Sequence, residues 1–181
     1  LYADILLGMA RGAKDADPRM RVLPGVIVGK PGAAQFREGY VNATHLQYLD
    51  GLNTHVYSWH QSATSAAGRT GTHPESRVSS FWELLETVNF ASTNLPGLPV
   101  YLTEWGWDSD GGGESCDTSE CVSELSQALY AVRSSLIVAR MGSVVHRMSW
   151  FFYGNIEDHS GDQVFSRSGL TSSSAHGFEG K

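Results

Sequence analysis

Apolar segments with the composition of β-strands alternate along the chain with segments of helical periodicity, and this alternation limits the fold more than any other feature. The predicted strands are 21–29, 51–59, 99–108 and 144–153, and the predicted helices are 1–14, 33–49, 81–91 and 118–141. Parallel neighbouring strands need long crossover connections, which helices supply. The sequence therefore predicts an α/β fold with a parallel sheet covered by helices.

Apolar residues at helical spacing indicate the buried faces of two of these helices. They are Leu1, Ile5, Leu6 and Met9 in the first helix, and Phe81, Leu84, Leu85 and Val88 in the helix 81–91. Spacings of three and four residues place side chains on one side of a helix. We expect both sets to pack against the sheet.

The length of the chain indicates an incomplete barrel. A complete TIM (β/α)8 barrel usually has about 250 residues, whereas this chain has 181. The chain also begins within a helical pattern, with no capping residue ahead of Leu1. We expect residues 1–181 to form the C-terminal half of a TIM (β/α)8 barrel, truncated before the fourth strand. A doubly wound sheet is the alternative, but no G-x-G-x-x-G follows any predicted strand.

The predicted strand 99–108 carries a carboxylate, Glu104, close to its end. Regular alternation would place Glu104 on the same side as Val100 and Leu102, towards the apolar interior. A buried carboxylate without partners is costly, so such a residue lies at an open end, is paired, or takes part in chemistry. The segment predicts the rim of an active site. A Glu held by an Arg or by backbone amides is the structural alternative.

Aromatic residues gather near the ends of three predicted strands. They are Tyr57 and Trp59, Trp105 and Trp107, and Trp150, Phe151, Phe152 and Tyr153. Aromatic faces suit the C–H faces of sugar rings, while His, Asn and Glu side chains can bond sugar hydroxyls. We therefore expect a carbohydrate ligand, although at least two of the four residues 150–153 must fill the barrel.

Charge and hydropathy exclude some other classes of partner. The net charge is −6 at pH 7, and the 13 basic residues are scattered along the chain, which disfavours nucleic acid. No apolar run reaches the length of about 18 residues that a membrane span needs. The glycosylation sequon that begins at Asn42 favours an extracellular or secreted protein. The oligomeric state stays open.

The two cysteines, Cys116 and Cys121, lie in or beside the loop that follows Glu104. A turn there would allow a disulfide, whereas a helix would make them poorly matched partners. Zinc would need further ligands at suitable spacing.

Histidines around the second predicted strand could in principle bind a metal together with a nearby carboxylate. The residues are His55, His60, His73 and Glu75. They lack H-E-x-x-H or a comparable tight spacing, and strand-end histidines serve as hydrogen-bond donors as often as they serve as ligands. We expect no metal and no cofactor.

The residues from Thr103 to Asp108, Thr-Glu-Trp-Gly-Trp-Asp, follow Pro-Val-Tyr-Leu. Together they resemble the seventh strand of the retaining glycoside hydrolases of clan A. Family 39 is the most similar, and families 5 and 30 are related to it. The resemblance implies that Glu104 is the catalytic nucleophile. Asn53 to Tyr57 is similar to the sixth strand of the clan, which implies that His55 and Tyr57 bond the nucleophile and the substrate.

The resemblance also implies aromatic residues that contact the sugar. Residues 150–155 resemble the eighth strand of the clan, where an aromatic side chain forms a sugar platform. Trp150 is the first candidate for this platform and Tyr153 the second, and Trp107 beside the nucleophile is a further substrate-binding candidate.

Retaining hydrolysis needs two carboxylates about 5 to 5.5 Å apart. The clan carries its acid/base Glu in an Asn-Glu-Pro motif at the end of the fourth strand, and no such motif occurs in this sequence. The resemblance implies a retaining glycosidase of oligo- or polysaccharides whose acid/base lies outside this chain, so the chain alone would be inactive. A non-catalytic carbohydrate-binding half-barrel and a metal-dependent barrel hydrolase remain alternatives.

Overall fold

The structure is a computed structural model that describes residues 1–26, 39, 46–57, 71–77, 81–109, 121–151 and 169–170. The elements described over their whole length are the helices α1 (Tyr2–Ala16), α2 (Trp82–Asn94) and α3 (Glu124–Arg140) and the strands β1 (Leu52–Tyr57), β2 (Val100–Gly106) and β3 (Val145–Trp150). A 3-10 turn, Gly142–Val144, precedes β3. None of the helices described is long and apolar enough to cross a membrane.

The three strands form one parallel sheet in the order β1, β2, β3. The chain passes from β1 to β2 through α2, and from β2 to β3 through α3. Parallel strands require such crossovers because each strand must start again from the same end of the sheet. The strand and helix order confirms the predicted α/β architecture with a parallel sheet.

The hydrophobic core lies between one face of the sheet and α2. Its buried strand residues are Leu52, Val56, Val100 and Leu102, and those from the α2 segment are Phe81, Leu84, Val88 and Ala91. Of the predicted face, Phe81, Leu84 and Val88 are buried, whereas Leu85 is partly exposed. Full burial of each large apolar side chain stabilises the fold by about 1.5 to 3 kcal/mol, so this core fixes the strand ends on which the site is built.

The predicted buried face of the first helix is wrong at most positions. Leu1, Ile5 and Met9 are 95%, 52% and 69% exposed, and only Leu6 of the predicted set is buried. The other buried residue of α1 is Ala10, four positions after Leu6. The helix is therefore rotated relative to the prediction.

Polar contacts explain the rotation of α1. Tyr2 Oη accepts a hydrogen bond from Gly25 N at 2.6 Å, and Lys14 Nζ donates to Asp50 Oδ2 at 2.7 Å. Tyr2 and Lys14 are twelve residues apart and lie on the same helix face as Leu6 and Ala10, because the four residues follow at spacings of four. The two anchors turn this face inward.

The predicted strand 21–29 is not a strand where the structure describes it, because residues 21–26 belong to neither helix nor strand. Val22 O accepts from Asp50 N at 2.9 Å, but Val22 N donates to the side-chain oxygen Asp50 Oδ2 at 2.7 Å. The Asp50 side chain thus accepts the hydrogen bond that a neighbouring strand would accept. Pro24 has no backbone N–H and cannot donate a hydrogen bond to a neighbouring strand. Residues 27–29 and most of the predicted helix 33–49 lie outside the described residues.

Helix α3 begins later than the predicted start at residue 118. Its N-cap is Ser123, whose Oγ accepts from Ser126 N at 3.1 Å. Immediately before the cap, Val122 forms an isolated parallel β-bridge with Ser109, in which Val122 N donates to Asp108 O at 2.9 Å. This pairing is incompatible with a helix at Val122. The predicted start took no account of Ser123 as a capping residue.

Cys121 is disulfide-bonded, and Cys116 is the only other cysteine of the sequence. We expect protein isolated from its native compartment to show no reactive thiol when it is unfolded without reductant, and two thiols after reduction. Thiol titration in denaturant measures both states. Reduction should increase hydrogen exchange around residues 121–123 more than in β2, because a bridge across a short loop constrains the chain locally. Two reactive thiols before reduction would contradict the bridge.

Candidate active site

Strand β2 contains one residue more than its neighbour near its carboxyl end. Thr54 and His55 are consecutive in β1, yet they pair with Leu102 and Glu104, so Thr103 is the extra residue of β2. The register with β3 shifts in the same part of β2. An extra residue bends a strand and changes the direction of the side chains beyond it.

The bulge reverses the predicted orientation of Glu104. Regular alternation would place this carboxylate with Leu102, on the side of the sheet that packs against α2. In the structure Glu104 pairs with His55 and contacts His55 and Tyr57, which lie on the opposite side. The prediction was wrong because it counted Thr103 as an ordinary strand residue.

Two side chains of β1 hold the carboxylate of Glu104. Tyr57 Oη donates a hydrogen bond to Glu104 Oε2, and His55 Nδ1 lies 3.3 Å from the same oxygen. His55 and Tyr57 are two residues apart, so alternation along the strand presents both to one face. The side chain of Glu104 is 35% exposed and that of His55 is 19% exposed, so the carboxylate is oriented and still accessible to a ligand.

Burial and the negative charge of Glu104 act differently on its two partners. Burial raises the pKa of Tyr57, and the hydrogen bond and charge of Glu104 raise it further. Tyr57 therefore keeps its proton and remains a donor. Burial lowers the pKa of His55 below its ordinary value, while the charge of Glu104 opposes this shift. His55 is thus neutral at a lower pH than an exposed histidine.

A second set of hydrogen bonds supports His55 from its other nitrogen. His55 Nε2 is 2.9 Å from Thr103 Oγ1, and Thr103 Oγ1 donates to Asn53 Oδ1 at 2.6 Å. Asn53 Nδ2 donates to Pro24 O at 3.3 Å. Neither Asn53 nor Thr103 is among the site residues predicted from the sequence. Asn53 could have been found, because it precedes His55 by two positions and so shares its face.

Trp107 and Trp150 lie in an aromatic cluster around Trp105. The ring of Trp150 stands edge-on to Trp105 at 4.6 Å between centroids, and the Trp107 ring is 6.0 Å from Trp105. Trp107 is 3% exposed, and its Nε1 donates to Thr72 O at 2.8 Å. These contacts are those of packing residues. The predicted sugar contacts of Trp107 and Trp150 stay predictions, and Tyr153 lies outside the described residues.

The part of the chain that the structure describes contains no group of three or more His, Cys, Asp and Glu residues that could hold a metal. His73 Nδ1 lies 3.2 Å from Glu75 Oε2, and Glu75 accepts two hydrogen bonds from Arg133 of α3. His73 and Glu75 therefore tie a loop to a helix. His60 lies outside the described residues.

Comparison of the sequence with protein-family models and with curated proteins gives no match. Solved structures do match. A GH39 enzyme from Xanthomonas axonopodis pv. citri aligns with a TM-score of 0.61 and 20% identity, covering 94% of this chain and 33% of that chain. An active-site mutant of Rhizomucor miehei β-1,3-glucanosyltransferase, in complex with laminaritriose, aligns with a TM-score of 0.60 and 16% identity. The alignment covers 99% of this chain and 56% of that chain.

A third match is AbfB, a family 51 α-L-arabinofuranosidase from Bifidobacterium longum, with a TM-score of 0.58 and 14% identity, covering 97% of this chain and 36% of that chain. This chain thus spans between a third and just over half of the length of these three proteins. At these identities the likeness concerns the fold. The chain has an α/β fold that is similar to part of the TIM barrels of these proteins, with Glu104 at the carboxyl end of a parallel strand.

Proposed function

We propose that this chain is part of a retaining glycoside hydrolase of clan A, similar to family 39, in which Glu104 is the nucleophile. The observation that carries the proposal is the accessible carboxylate of Glu104, held by Tyr57 and beside His55. In TIM-barrel enzymes the active site lies at the carboxyl ends of the strands, which is where Glu104 lies. Three structural neighbours support a glycoside as substrate. They are named a GH39 enzyme, a β-1,3-glucanosyltransferase and an α-L-arabinofuranosidase.

The contacts of Glu104 assign different roles to its two oxygens. Oε2 faces Tyr57 and His55, so Oε1 is the oxygen that attacks the anomeric carbon. Attack forms a glycosyl ester while the bond to the leaving oxygen breaks, and that oxygen takes a proton from a second carboxylic acid. Water then attacks the anomeric carbon and releases Glu104, so the configuration is retained. We place the second carboxylate outside this chain, because no Asn-Glu-Pro motif occurs in it.

Covalent labelling tests the proposal in the protein expressed with its natural flanking sequence. The probes are activated 2-deoxy-2-fluoro glycosides of glucose and arabinose, because two of the neighbours are named a β-1,3-glucanosyltransferase and an α-L-arabinofuranosidase. Fluorine at C2 slows hydrolysis of the ester and lets it accumulate. We expect one label, which mass spectrometry maps to Glu104. A label on another carboxylate would reject the assignment, while sugar binding without label or turnover would favour the carbohydrate-binding alternative.

Removal of the Tyr57 hydroxyl should slow the reaction. Tyr57→Phe keeps the ring and deletes the hydrogen bond that orients Glu104 through Oε2, so we expect turnover to fall by about 10 to 1000-fold. The factor by which turnover falls should be nearly the same at every pH, because Tyr57 does not ionise in the pH range of the activity. Tyr130→Phe on α3 is the matched control and should leave turnover unchanged. Equal turnover of Tyr57→Phe and the unmodified protein would exclude a role for this hydroxyl.

We further propose that the protein is extracellular or secreted. The disulfide at Cys121 supports this location, because disulfides persist in oxidising compartments. A polymeric carbohydrate substrate agrees with it.

A further inference from the structure

The proton positions around His55 follow from the hydrogen bonds that begin at Pro24. The carbonyl oxygen of Pro24 can only accept, so the group of Asn53 that faces it, at 3.3 Å, must be the amide nitrogen. The amide oxygen of Asn53 consequently faces Thr103. The orientation of the Asn53 side chain is thereby fixed by a backbone group.

The single hydroxyl proton of Thr103 can be assigned next. Asn53 Oδ1 can only accept, and it lies 2.6 Å from Thr103 Oγ1, so the proton of Thr103 lies between these two oxygens. Thr103 Oγ1 must then act as acceptor towards His55 Nε2 at 2.9 Å. Hence Nε2 of His55 carries a proton.

The other nitrogen of His55 faces Glu104. In neutral imidazole only one nitrogen is protonated, so neutral His55 presents the lone pair of Nδ1 to Glu104 Oε2, 3.3 Å away. Neutral His55 therefore cannot donate to the carboxylate. A protonated His55 could, since both of its nitrogens are donors.

We propose that Thr103 and Asn53 are positioning residues that hold neutral His55 with its proton on Nε2, so that His55 withholds a hydrogen bond from Glu104 until it is protonated. The tautomer rests on the hydrogen bonds alone, whereas its effect on turnover rests on the proposed role of Glu104. The hydrogen bond from Tyr57 already orients the carboxylate, so a second donor on Oε2 would add no orientation and would reduce the charge available for attack. The Nε2–H tautomer thus favours a reactive nucleophile.

The bulge in β2 makes this arrangement possible. Thr103 is the extra residue, and it lets two consecutive side chains, Thr103 and Glu104, reach the same histidine. Thr103 contacts Nε2 of His55 and Glu104 lies near Nδ1. In a regular strand these neighbours would point to opposite faces, and one nitrogen would lose its partner.

Protonation of His55 should set the acidic side of the activity profile. The titratable groups beside it among the described residues are Glu104 of β2 and Tyr57 of β1. Further along this face, towards the amino ends of the strands, Arg21 donates to Tyr101 Oη at 3.0 Å and the His146 ring of β3 lies 5.3 Å from that of Tyr101. A cationic His55 would donate from Nδ1 to Glu104 and oppose the positive charge that develops on the sugar. Turnover should therefore fall as the pH drops through the pKa of His55.

Histidine-selective ¹⁵N NMR tests the tautomer without reference to catalysis. The protein, with its natural flanking sequence, is labelled at histidine, and two-bond ¹H–¹⁵N correlations are recorded at about pH 8, where neutral imidazole prevails. His55→Gln identifies the signals of His55 by their disappearance. We expect the Nε2–H tautomer in the unmodified protein. The Nδ1–H tautomer there would overturn the proposal, and this test needs no variant other than His55→Gln.

Two variants remove the support of the tautomer by different routes. Thr103→Val deletes the acceptor of Nε2–H, and Asn53→Leu releases the Thr103 hydroxyl proton to donate to Nε2. Both should move the proton of His55 to Nδ1, from which it donates to Glu104, whereas Thr103→Ser should retain Nε2–H. If the proton stays on Nε2 in folded Thr103→Val or Asn53→Leu, the two residues do not position it.

Kinetics of the same variants tests the consequence for turnover. Thr103→Val and Asn53→Leu should lower kcat by about 10 to 100-fold, the effect of one additional hydrogen bond to a charged group, with little change in KM. The fall of kcat towards low pH should become smaller in these variants, because Glu104 then receives the hydrogen bond from His55 Nδ1 at every pH. Thr103→Ser should have the kcat and the pH dependence of the unmodified protein. If His55 is protonated on Nε2 but the protein hydrolyses no glycoside, the proposed function is rejected and the tautomer assignment stands. If a variant shows the tautomer shift but its kcat is unchanged, the proposed effect on the nucleophile is wrong.

Discussion

Glu104→Gln is expected to lower turnover by at least about 10⁴-fold, the scale of loss when a group that bonds to the substrate is removed. The amide keeps the shape of the side chain and can still accept the hydrogen bond from Tyr57, but it cannot attack the anomeric carbon. Affinity for the sugar, measured by calorimetry, should change little. The matched control is Glu86→Gln, the same chemical change at an exposed position of α2, which should retain full turnover.

A small nucleophile provides a positive readout for the same position. Glu104→Ala removes the carboxylate and leaves space beside Tyr57. Added azide should then react with an activated glycoside and give a glycosyl azide of inverted configuration, because only one displacement occurs instead of two. NMR of the product determines the configuration. Near-normal turnover in Glu104→Gln, or no azide product in a folded Glu104→Ala, would contradict the role of Glu104 as nucleophile.

Trp107→Ala is expected to destabilise the fold by about 3 to 5 kcal/mol, the usual cost of deleting a large buried aromatic side chain. The ring is 3% exposed and packs against the Phe81 ring at 6.1 Å and the Tyr130 ring at 5.5 Å. Its Nε1 bonds Thr72 O, and its backbone oxygen accepts from Gln127 Nε2 at 2.6 Å. Deleting the ring would leave a cavity where the sheet, α2 and α3 meet.

Denaturant unfolding measures this loss as a lower midpoint with an unchanged slope. Trp82→Ala is the matched control, because Trp82 is only half-buried at the start of α2 and should cost less. The stability of Trp107→Phe should lie between that of the unmodified protein and that of Trp107→Ala, since phenylalanine keeps a ring and loses the hydrogen bond to Thr72. If Trp107→Ala keeps its stability and loses sugar affinity, Trp107 is the sugar-binding residue that the sequence predicted and its packing role is minor.

The elements that the sequence predicted well are those in which one apolar face is unambiguous. In α2 the spacing of Phe81, Leu84 and Val88 leaves a single possible buried side. In α1 the apolar residues surround more of the helix, so two faces compete. The choice between them depends on Lys14 and its ion pair with Asp50, and a contact between residues 36 positions apart leaves no local sequence pattern.

The candidate site was partly predictable for a similar reason. His55 and Tyr57 share a face because they are two residues apart, and the structure brings both to Glu104. The side of the sheet on which Glu104 lies could not be predicted, because a bulge is a mismatch between two strands and becomes visible only when their register is known. The role of Thr103 was hidden for the same reason.

The extra residue in β2 also has a consequence for how the Thr-Glu pair can change in evolution or be transplanted. A substitution at residue 103 alters one group, whereas deletion of Thr103 would restore regular alternation and leave the carboxylate on the side opposite Leu102. In a strand without the bulge, the second residue after the position of Leu102 faces the helices. An alignment that closes a gap at this point would therefore pair Glu104 with a residue that faces the helices of another barrel. Grafting this motif onto a designed strand would require the additional backbone unit as well as the two side chains.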